Sequence, residues 1–248
     1  MKIDLNCDMG ESFGAYRLGD DAAILPFITS ANVACGFHAG DALVMRATVG
    51  LCAAAGVRVG AHPSTPDLQG FGRREMSLTP EEAEAFVLYQ VGALAAFTRA
   101  AGVALTHVKP HGALYNQAAR DPALAEAVAR GVARFSRNLV LVGLAGSALL
   151  AAAASAGLRP ASEGFPDRAY DPDGSLRSRR LPGAVLHDPA QIAANAVRLA
   201  TEGIATPHGQ VAVDTLCLHG DNPAAVSAAQ AVRKTLAQAN IEVVGLGT

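Results

Sequence analysis

The chain has 248 residues, of which 50% are hydrophobic and 17% are charged, and its formal net charge is −2. A chain of this length buries a substantial core, and the high apolar fraction excludes a disordered protein. The near-neutral charge excludes an electrostatic basis for binding nucleic acid or a membrane surface. The four cysteines form no CxxC pair, and the first residues lack the apolar region of a signal peptide. We therefore expect a soluble, cytoplasmic protein with reduced thiols.

Short apolar runs alternate with longer alanine-rich segments along the chain. The predicted strands are residues 2–7, 29–35, 57–61, 104–109, 139–144, 158–163, 184–187, 213–219 and 242–244. The predicted helices are residues 41–55, 79–101, 121–135, 147–156, 188–201 and 222–240. This alternation predicts one α/β domain over residues 1–248, an irregular, TIM-like (β/α) barrel of seven or eight parallel strands. No GxGxxG motif follows the first strand, which disfavours a dinucleotide-binding sheet.

The scarce polar side chains concentrate at the predicted strand ends. Asp4, Asn6 and Asp8 alternate along the first strand and share one face. In the second strand, Asn32 shares a face with His38, which follows the strand. Three later strands also end near a histidine, and these are His62, His111 and His219. Because (β/α) barrels carry their chemistry at the carboxyl ends of strands, the pattern predicts a functional cluster there. Asp4 has the weakest claim and fits a structural role at the opposite end.

Lys109 is one of only three lysines, and it follows an apolar strand. A buried lysine is costly unless it is paired, so either an anionic ligand or a carboxylate such as Asp8 or Asp41 must lie nearby. Arg73 and Arg74, in the glycine-rich stretch LQGFGRRE, suit a carboxylate or phosphate contact, although solvated loop arginines are an equal alternative. The arginine-rich stretch 166–182 is predicted to be a long functional loop. Phosphate-loop, kinase and GxSxG motifs are absent.

These stretches together resemble the LamB/YcsF family. The matching segments are DLNCDMGESFG, SANVACGFHAGD, GAHPSTPDLQGFGRR, HVKPHGALYN, DRAY and DTLCLHGD, in that order along the chain. Small departures occur at Ala42, Thr65 and Pro166, and none of them removes an ionisable residue.

The resemblance implies a distorted barrel similar to the glycoside hydrolase/deacetylase superfamily. It also implies a hydrolase subunit that opens 5-oxoproline to glutamate, uses ATP with Mg²⁺ as co-substrate, releases ADP and phosphate, and works with partner subunits B and C. Two alternatives remain open, a stand-alone metal-dependent deacetylase or amidohydrolase and a non-catalytic scaffold subunit.

Site roles follow from this interpretation. The predicted catalytic residues are Asp8, His38, His62, Lys109, His111 and His219. The predicted substrate-binding residues are Asn6, Asn32, Arg73, Arg74, Tyr115 and Arg168. Asp8 or a nearby histidine would be the general base, and Lys109 with His111 would stabilise charge that develops on oxygen. A divalent metal is an open question; if one binds, Asp8, His38 and His62 are the expected ligands, as in related deacetylase-like barrels.

Overall fold

Parallel strands close into a barrel in the computed structural model, which describes residues 1–207, 209–218 and 225–247. The strands are β1 (Lys2–Met9), β2 (Ser30–Ala34), β3 (Arg58–His62), β4 (Leu105–Val108), β5 (Val140–Leu144), β6 (Arg159–Gly164), β7 (Ile204–Thr206), β8 (Gly209–Val211), β9 (Thr215–Leu218) and β10 (Glu242–Val243). Seven of them, β1 to β6 and β9, form the closed barrel, because β9 pairs with both β6 and β1. β7 and β8 form a separate antiparallel hairpin, and β10 pairs with the first residues of β1.

Helices surround this barrel. They are α1 (Asp21–Ile24), α2 (Ala42–Ala55), α3 (Pro80–Ala100), α4 (Gly112–Arg120), α5 (Pro122–Phe135), α6 (Ala148–Ser155), α7 (Pro189–Glu202) and α8 (Ala225–Gln238), with a 3₁₀ turn at Leu25–Phe27. Within the described residues, no helix is both long and apolar enough to cross a bilayer.

The predicted barrel is confirmed, with corrections to individual elements. The predicted strand at 184–187 is wrong, because Val185 forms only an isolated bridge with Arg168 and the segment folds back on the 166–182 loop. Helix α4 and the β7–β8 hairpin were not predicted. The predicted last helix starts at Asn222, which lies outside the described residues, and α8 is described from Ala225.

Helix starts follow the local sequence signals. Thr79 Oγ1 accepts a hydrogen bond from the Glu82 backbone N–H at 3.2 Å, and the Glu82 carboxylate accepts one from the Thr79 N–H at 2.8 Å. This reciprocal cap fixes the start of α3, with Pro80 in its first turn. The side chains of Asp121 and Asp188 cap α5 and α7 by accepting backbone N–H bonds, without a reciprocal partner. These caps therefore determine the residues at which the preceding loops end and the helices begin.

The two faces of strand β1 bury different kinds of side chain. Odd-numbered residues of β1, such as Ile3 and Leu5, pack in the apolar layer beneath the helices. Even-numbered residues point into the barrel, where Asp4 accepts hydrogen bonds from Ser30 at 2.6 Å and Thr215 at 2.5 Å. Burial nevertheless raises the pKa of Asp4. Asp4 thus has a structural role inside the barrel, which was the alternative to a place in the functional cluster.

Gly60 makes room for an interior histidine. A Cβ atom at this position would lie 2.1–2.4 Å from ring atoms of His107. We expect Gly60→Ala to lower the free energy of unfolding by about 1–3 kcal/mol or more, because the barrel interior offers little space for the ring to move. The midpoint of urea unfolding measures this effect. Gly50→Ala is the control, since a Cβ there meets nothing within 4 Å and the helix α2 should gain up to about 1 kcal/mol. Equal midpoints for the two variants would contradict the prediction.

Candidate active site at the carboxyl ends of the strands

The strand register brings Asp8, His62 and Lys109 to one end of the barrel. Asp8 is the second-last residue of β1 and pairs with Asn32 on β2. His62 is the last residue of β3, and Lys109 directly follows β4. Because all these strands are parallel, their side chains converge at the carboxyl end, the position where (β/α) barrels carry their sites.

Lys109 is the centre of a buried ion-pair network. Its ammonium lies 3.0 Å from Asp8 Oδ1 and 2.9 Å from Glu163 Oε1, and it donates to Asn6 Oδ1 at 3.2 Å. Cys217 Sγ is 3.0 Å away. Burial opposes the charge, but Asp8, Cys217 and Glu163 together hold the pKa of Lys109 well above its usual value. Lys109 is therefore a cation paired with carboxylates, which is one of the two environments the sequence predicts for it.

Asn6 and Asn32 form a network beneath these charges. Asn6 Nδ2 donates to Glu163 at 3.0 Å and to Thr215 at 2.6 Å. Asn32 Nδ2 donates to Asn6 Oδ1 at 2.7 Å and to Asp8 Oδ1 at 2.9 Å. Both amides are fully buried and orient the ionised groups above them. Their predicted contact with substrate stays a prediction.

His107 completes this network and is neutral. Its Nε2 lies 2.9 Å from Asn32 Oδ1, an acceptor, so Nε2 carries the proton. Burial, followed by the nearby charge of Lys109, lowers the pKa of His107 to about 3.

The depressed pKa of His107 predicts sensitivity to acid. The unfolded chain protonates this residue below about pH 6.5, whereas the folded state does so only near pH 3, so stability is lost as the pH falls through that window. We expect the free energy of unfolding of wild type to fall with decreasing pH more steeply than that of His107→Gln, by up to about 1.4 kcal/mol per pH unit. The glutamine retains a donor for Asn32. Urea unfolding at several pH values measures the difference, and parallel profiles would refute it.

Three histidines and a glutamate lie beside Asp8. His62 Nδ1 donates to the Lys109 carbonyl at 2.7 Å, and His111 Nε2 donates to the Phe71 carbonyl at 2.8 Å. The remaining ring nitrogens, His62 Nε2 and His111 Nδ1, are 2.9 Å apart, so two lone pairs face each other when both rings are neutral. Burial, with the neighbouring histidines, lowers the pKa of His38 and His111 well below the usual value.

This cluster has the chemistry of a metal site. One ligand atom from each of four residues lies within 4.8 Å of the others, and the four are Glu11, His38, His62 and His111. Three imidazole nitrogens and one carboxylate suit a divalent transition metal such as Zn²⁺. Two members of the predicted metal set, His38 and His62, belong to the cluster. Asp8 does not; its Oδ2 lies 3.2 Å from His62 Nε2, while Oδ1 contacts Lys109.

A cavity of about 820 Å³ opens above these groups. Asp8, Glu11, His62, Lys109 and His111 line its inner part. Of the predicted substrate-binding residues, Arg73, Tyr115 and Arg168 also line it. The Arg74 guanidinium instead binds the Asp67 carboxylate, with Nε at 2.9 Å from Oδ1, and Arg74 is not among the lining residues. The predicted catalytic residue His219 lies outside the described residues.

Sequence reasoning missed Glu11 and Glu163. Glu163 is fully buried near the end of β6, and like the other residues it lies at the end of a predicted strand. The strand itself, RPASEG, is not apolar, so the signal used for the other residues is weak here. Glu11 follows β1 after Gly10, whose φ is +68°. Its direction depends on that turn, so strand alternation gives no signal for it.

Comparisons with known proteins show the family of the chain. The model of the LamB/YcsF family matches residues 3–248. The chain belongs to the LamB/YcsF family. Two relatives named as the A subunit of 5-oxoprolinase are each 55% identical, one from Chloroflexus aggregans over 98% of both chains and one from Methylococcus capsulatus over 99% of this chain and 96% of the other.

One solved structure supports the family assignment, and a second shares only the fold. The lactam utilization protein from Thermus thermophilus is 49% identical, with a TM-score of 0.91 over 99% of this chain and 100% of that one. A polysaccharide deacetylase from Bacillus cereus reaches a TM-score of 0.50 at 15% identity over 99% of this chain and 92% of that one, a likeness of fold alone.

Proposed function

We propose that this LamB/YcsF protein is the ring-opening subunit of an ATP-dependent 5-oxoprolinase. The overall reaction converts 5-oxoproline, ATP and two waters into glutamate, ADP and phosphate. The proposal is carried by one observation, the convergence of Asp8, Lys109, His62 and His111 on a single cavity. The substrate follows from relatives that are more than half identical over nearly their full length and are named as the A subunit of 5-oxoprolinase.

Asp8 is the proposed general base. Lys109 and Asn32 donate to its Oδ1, while Oδ2 is directed toward His62 at the cavity. A water between Asp8 and the lactam carbon would lose its proton to the carboxylate as it attacks. The ammonium of Lys109 lines the same cavity and stabilises negative charge on the tetrahedral intermediate that forms from the O-phosphorylated lactam. The C–N bond then breaks as the ring nitrogen takes up a proton, which leaves γ-glutamyl phosphate. The second water hydrolyses this acyl phosphate to glutamate and phosphate.

The histidine cluster supplies the second part of the site. Glu11, His38, His62 and His111 would hold a divalent metal, and such an ion supplies Lewis-acid polarisation of an oxygen atom. The hydrogen bonds from His62 to Lys109 and from His111 to Phe71 fix both rings, so their free nitrogens are oriented in advance.

ATP and partner subunits supply the activation. A lactam is a poor electrophile, and phosphorylation of its amide oxygen makes the ring carbon open to attack. The sequence contains no phosphate-loop motif of its own, so we assign the phosphorylation by ATP·Mg²⁺ to a complex with subunits B and C.

Glutamate formation from 5-oxoproline tests the proposal. We expect turnover with ATP·Mg²⁺ and subunits B and C, and none when this chain is omitted. Asp8→Asn should lower kcat by at least about 100-fold, the range typical for loss of a general base. His187→Ala is the matched control, since His187 is exposed outside the cavity. Unchanged turnover with Asp8→Asn would refute the role of Asp8, and no glutamate from the wild-type complex would refute the function.

A metal-dependent deacetylase that acts alone is the second candidate, and the four-residue cluster favours it. Hydrolysis of N-acetylated substrates without ATP or partners would establish that activity. A scaffold role predicts a different result, in which His62→Ala weakens complex assembly and leaves turnover per assembled complex unchanged.

A further inference from the structure

The 166–182 loop forms one wall of the cavity and has backbone pairing of its own. The N–H of Arg177 donates to the carbonyl of Ala169 at 3.0 Å, which folds residues 169–177 into a small hairpin, the rim hairpin. All but one of residues 171–180 line the cavity. The position of the rim hairpin therefore determines the shape of the cavity entrance.

Arg168 joins the rim hairpin to the segment that returns toward the barrel. The residue is only 7% exposed. Its Nη2 donates to the Arg177 carbonyl at 2.6 Å, and its Nε donates to the Ala184 carbonyl at 3.2 Å. The Ala184 carbonyl also accepts a hydrogen bond from the Ala169 N–H at 3.0 Å. One rigid guanidinium fork thus fixes both limbs of the loop to each other.

A second anchor holds the tip of the rim hairpin. A Cβ atom at Gly174 would lie 2.9 Å from Thr206 Cγ2 and 3.4 Å from the Ala205 carbonyl oxygen, so only a glycine allows this close approach. Both contacts come from β7. Val211, on β8, in turn lies near Gly146 of the cavity wall, where a Cβ atom would be 3.6 Å from Val211 Cγ2. The β7–β8 hairpin therefore supports the loop beside the cavity.

We propose that Arg168 is a positioning residue, which together with the contact of Gly174 on β7 holds the rim hairpin over the cavity and so determines the affinity for substrate. This inference rests on the proposed function and deepens it by assigning the residues that hold the entrance in place. The sequence predicts that Arg168 contacts substrate, but Nε and Nη2 bind carbonyls of the loop. Direct substrate binding by Arg168 is the alternative that the experiment below decides.

The groups proposed for the chemistry are held by other parts of the chain. Asp8 contacts Asn32, and Lys109 contacts Asn6 and Glu163, all of which lie on barrel strands. A displaced rim hairpin leaves these contacts in place. We therefore expect loss of either anchor to weaken substrate binding and to change the chemical step little.

The reconstituted reaction tests this expectation by separating KM from kcat. Arg168→Met, which keeps the apolar stem and removes every donor, should raise KM for 5-oxoproline at least about tenfold and change kcat less than about threefold. Gly174→Val should have the same effect, because its side chain displaces the tip from Thr206 and no group that could bind substrate is lost. A higher KM with Arg168→Met alone would show that Arg168 binds substrate directly, and it would overturn the proposal. A lower kcat at unchanged KM would also overturn it.

Hydrogen exchange of the full chain measures the loop itself. Peptides that span residues 169–177 should exchange at least about tenfold faster in Arg168→Met and in Gly174→Val, while peptides from β1 to β4 keep the wild-type rate. Unchanged exchange of the loop in both variants would refute the two anchors.

Two matched controls accompany these variants. Arg137→Met removes an exposed arginine outside the cavity. Gly102→Val places a side chain at a similarly positive φ of +70°, where a Cβ atom meets nothing within 4 Å. Both should keep the wild-type KM and loop exchange, and matching changes in the controls would contradict the assignment.

The exchange measurement separates this inference from the proposed function. If the wild-type complex forms no glutamate, the proposed function fails, and the exchange rates still decide whether Arg168 and Gly174 hold the rim hairpin.

Discussion

Lys109→Met is expected to abolish glutamate formation and to lower the free energy of unfolding by about 3–5 kcal/mol, the cost of leaving buried charges without their partner. Lys109 contacts both Asp8 and Glu163, and Glu163 is fully buried. The variant leaves two neighbouring carboxylates without a cation in the barrel interior. Urea unfolding and the glutamate assay measure the two effects. Lys234→Met, an exposed position in α8, should stay within about 0.5 kcal/mol of wild type.

A double variant separates the structural role of Lys109 from its role in the reaction. Adding Glu163→Gln to Lys109→Met removes one of the two stranded charges, so we expect it to recover part of the lost stability. Turnover should stay absent, because Asp8 still lacks the ammonium that holds its Oδ1. Additive effects of the two substitutions on stability would show that the residues are not coupled, contrary to the 2.9 Å contact.

The histidine cluster is expected to bind one equivalent of a divalent transition metal. Co²⁺ is a suitable probe, since its visible spectrum reports coordination by nitrogen and oxygen ligands. Glu11→Gln and His111→Ala should each weaken binding by at least tenfold, because the first removes the negative charge of one ligand and the second removes another ligand atom. Chelation should lower turnover at least 100-fold, with the Mg²⁺ that accompanies ATP held constant, and added metal should restore it.

Two controls sharpen the metal experiment. His187→Ala removes an exposed histidine and should leave Co²⁺ binding unchanged. Asp8→Asn should retain the metal yet lose turnover, since Asp8 lies beside the cluster and contacts Lys109. Loss of Co²⁺ binding with Asp8→Asn would instead show that Asp8 is a metal ligand, as the sequence predicts. Full activity after chelation would contradict the metal prediction.

Much of the site was predictable because strand alternation and strand ends are local properties. Asp8, His62 and Lys109 each lie at or next to the end of a buried strand, and parallel pairing alone then places them together. The metal set was less predictable. Glu11 reaches the histidines only through the turn at Gly10, and His111 is oriented by the Phe71 carbonyl, which comes from a distant loop.

The errors in the fold have a similar origin. Residues 184–187 contain the apolar run that also marks true strands, but the backbone of Ala184 accepts hydrogen bonds from Ala169 and Arg168. The arginine-rich loop therefore uses the pairing groups that a barrel strand would need. Such competition between partners is decided by tertiary contacts, which composition and periodicity do not contain.

The barrel is closed unevenly, and this has a consequence for how such proteins diversify. β5 and β6 pair over five residues, whereas β6 and β9, like β4 and β5, pair over only two. The segment between β6 and β9 leaves the barrel and returns to it at their short pairing, a narrow seam, and it includes Arg168, Arg179 and much of the cavity rim. Insertions or exchanges in this segment would reshape the entrance while the other strand pairs stay intact. Divergence in substrate range should therefore accumulate at the seam before it reaches the buried charges.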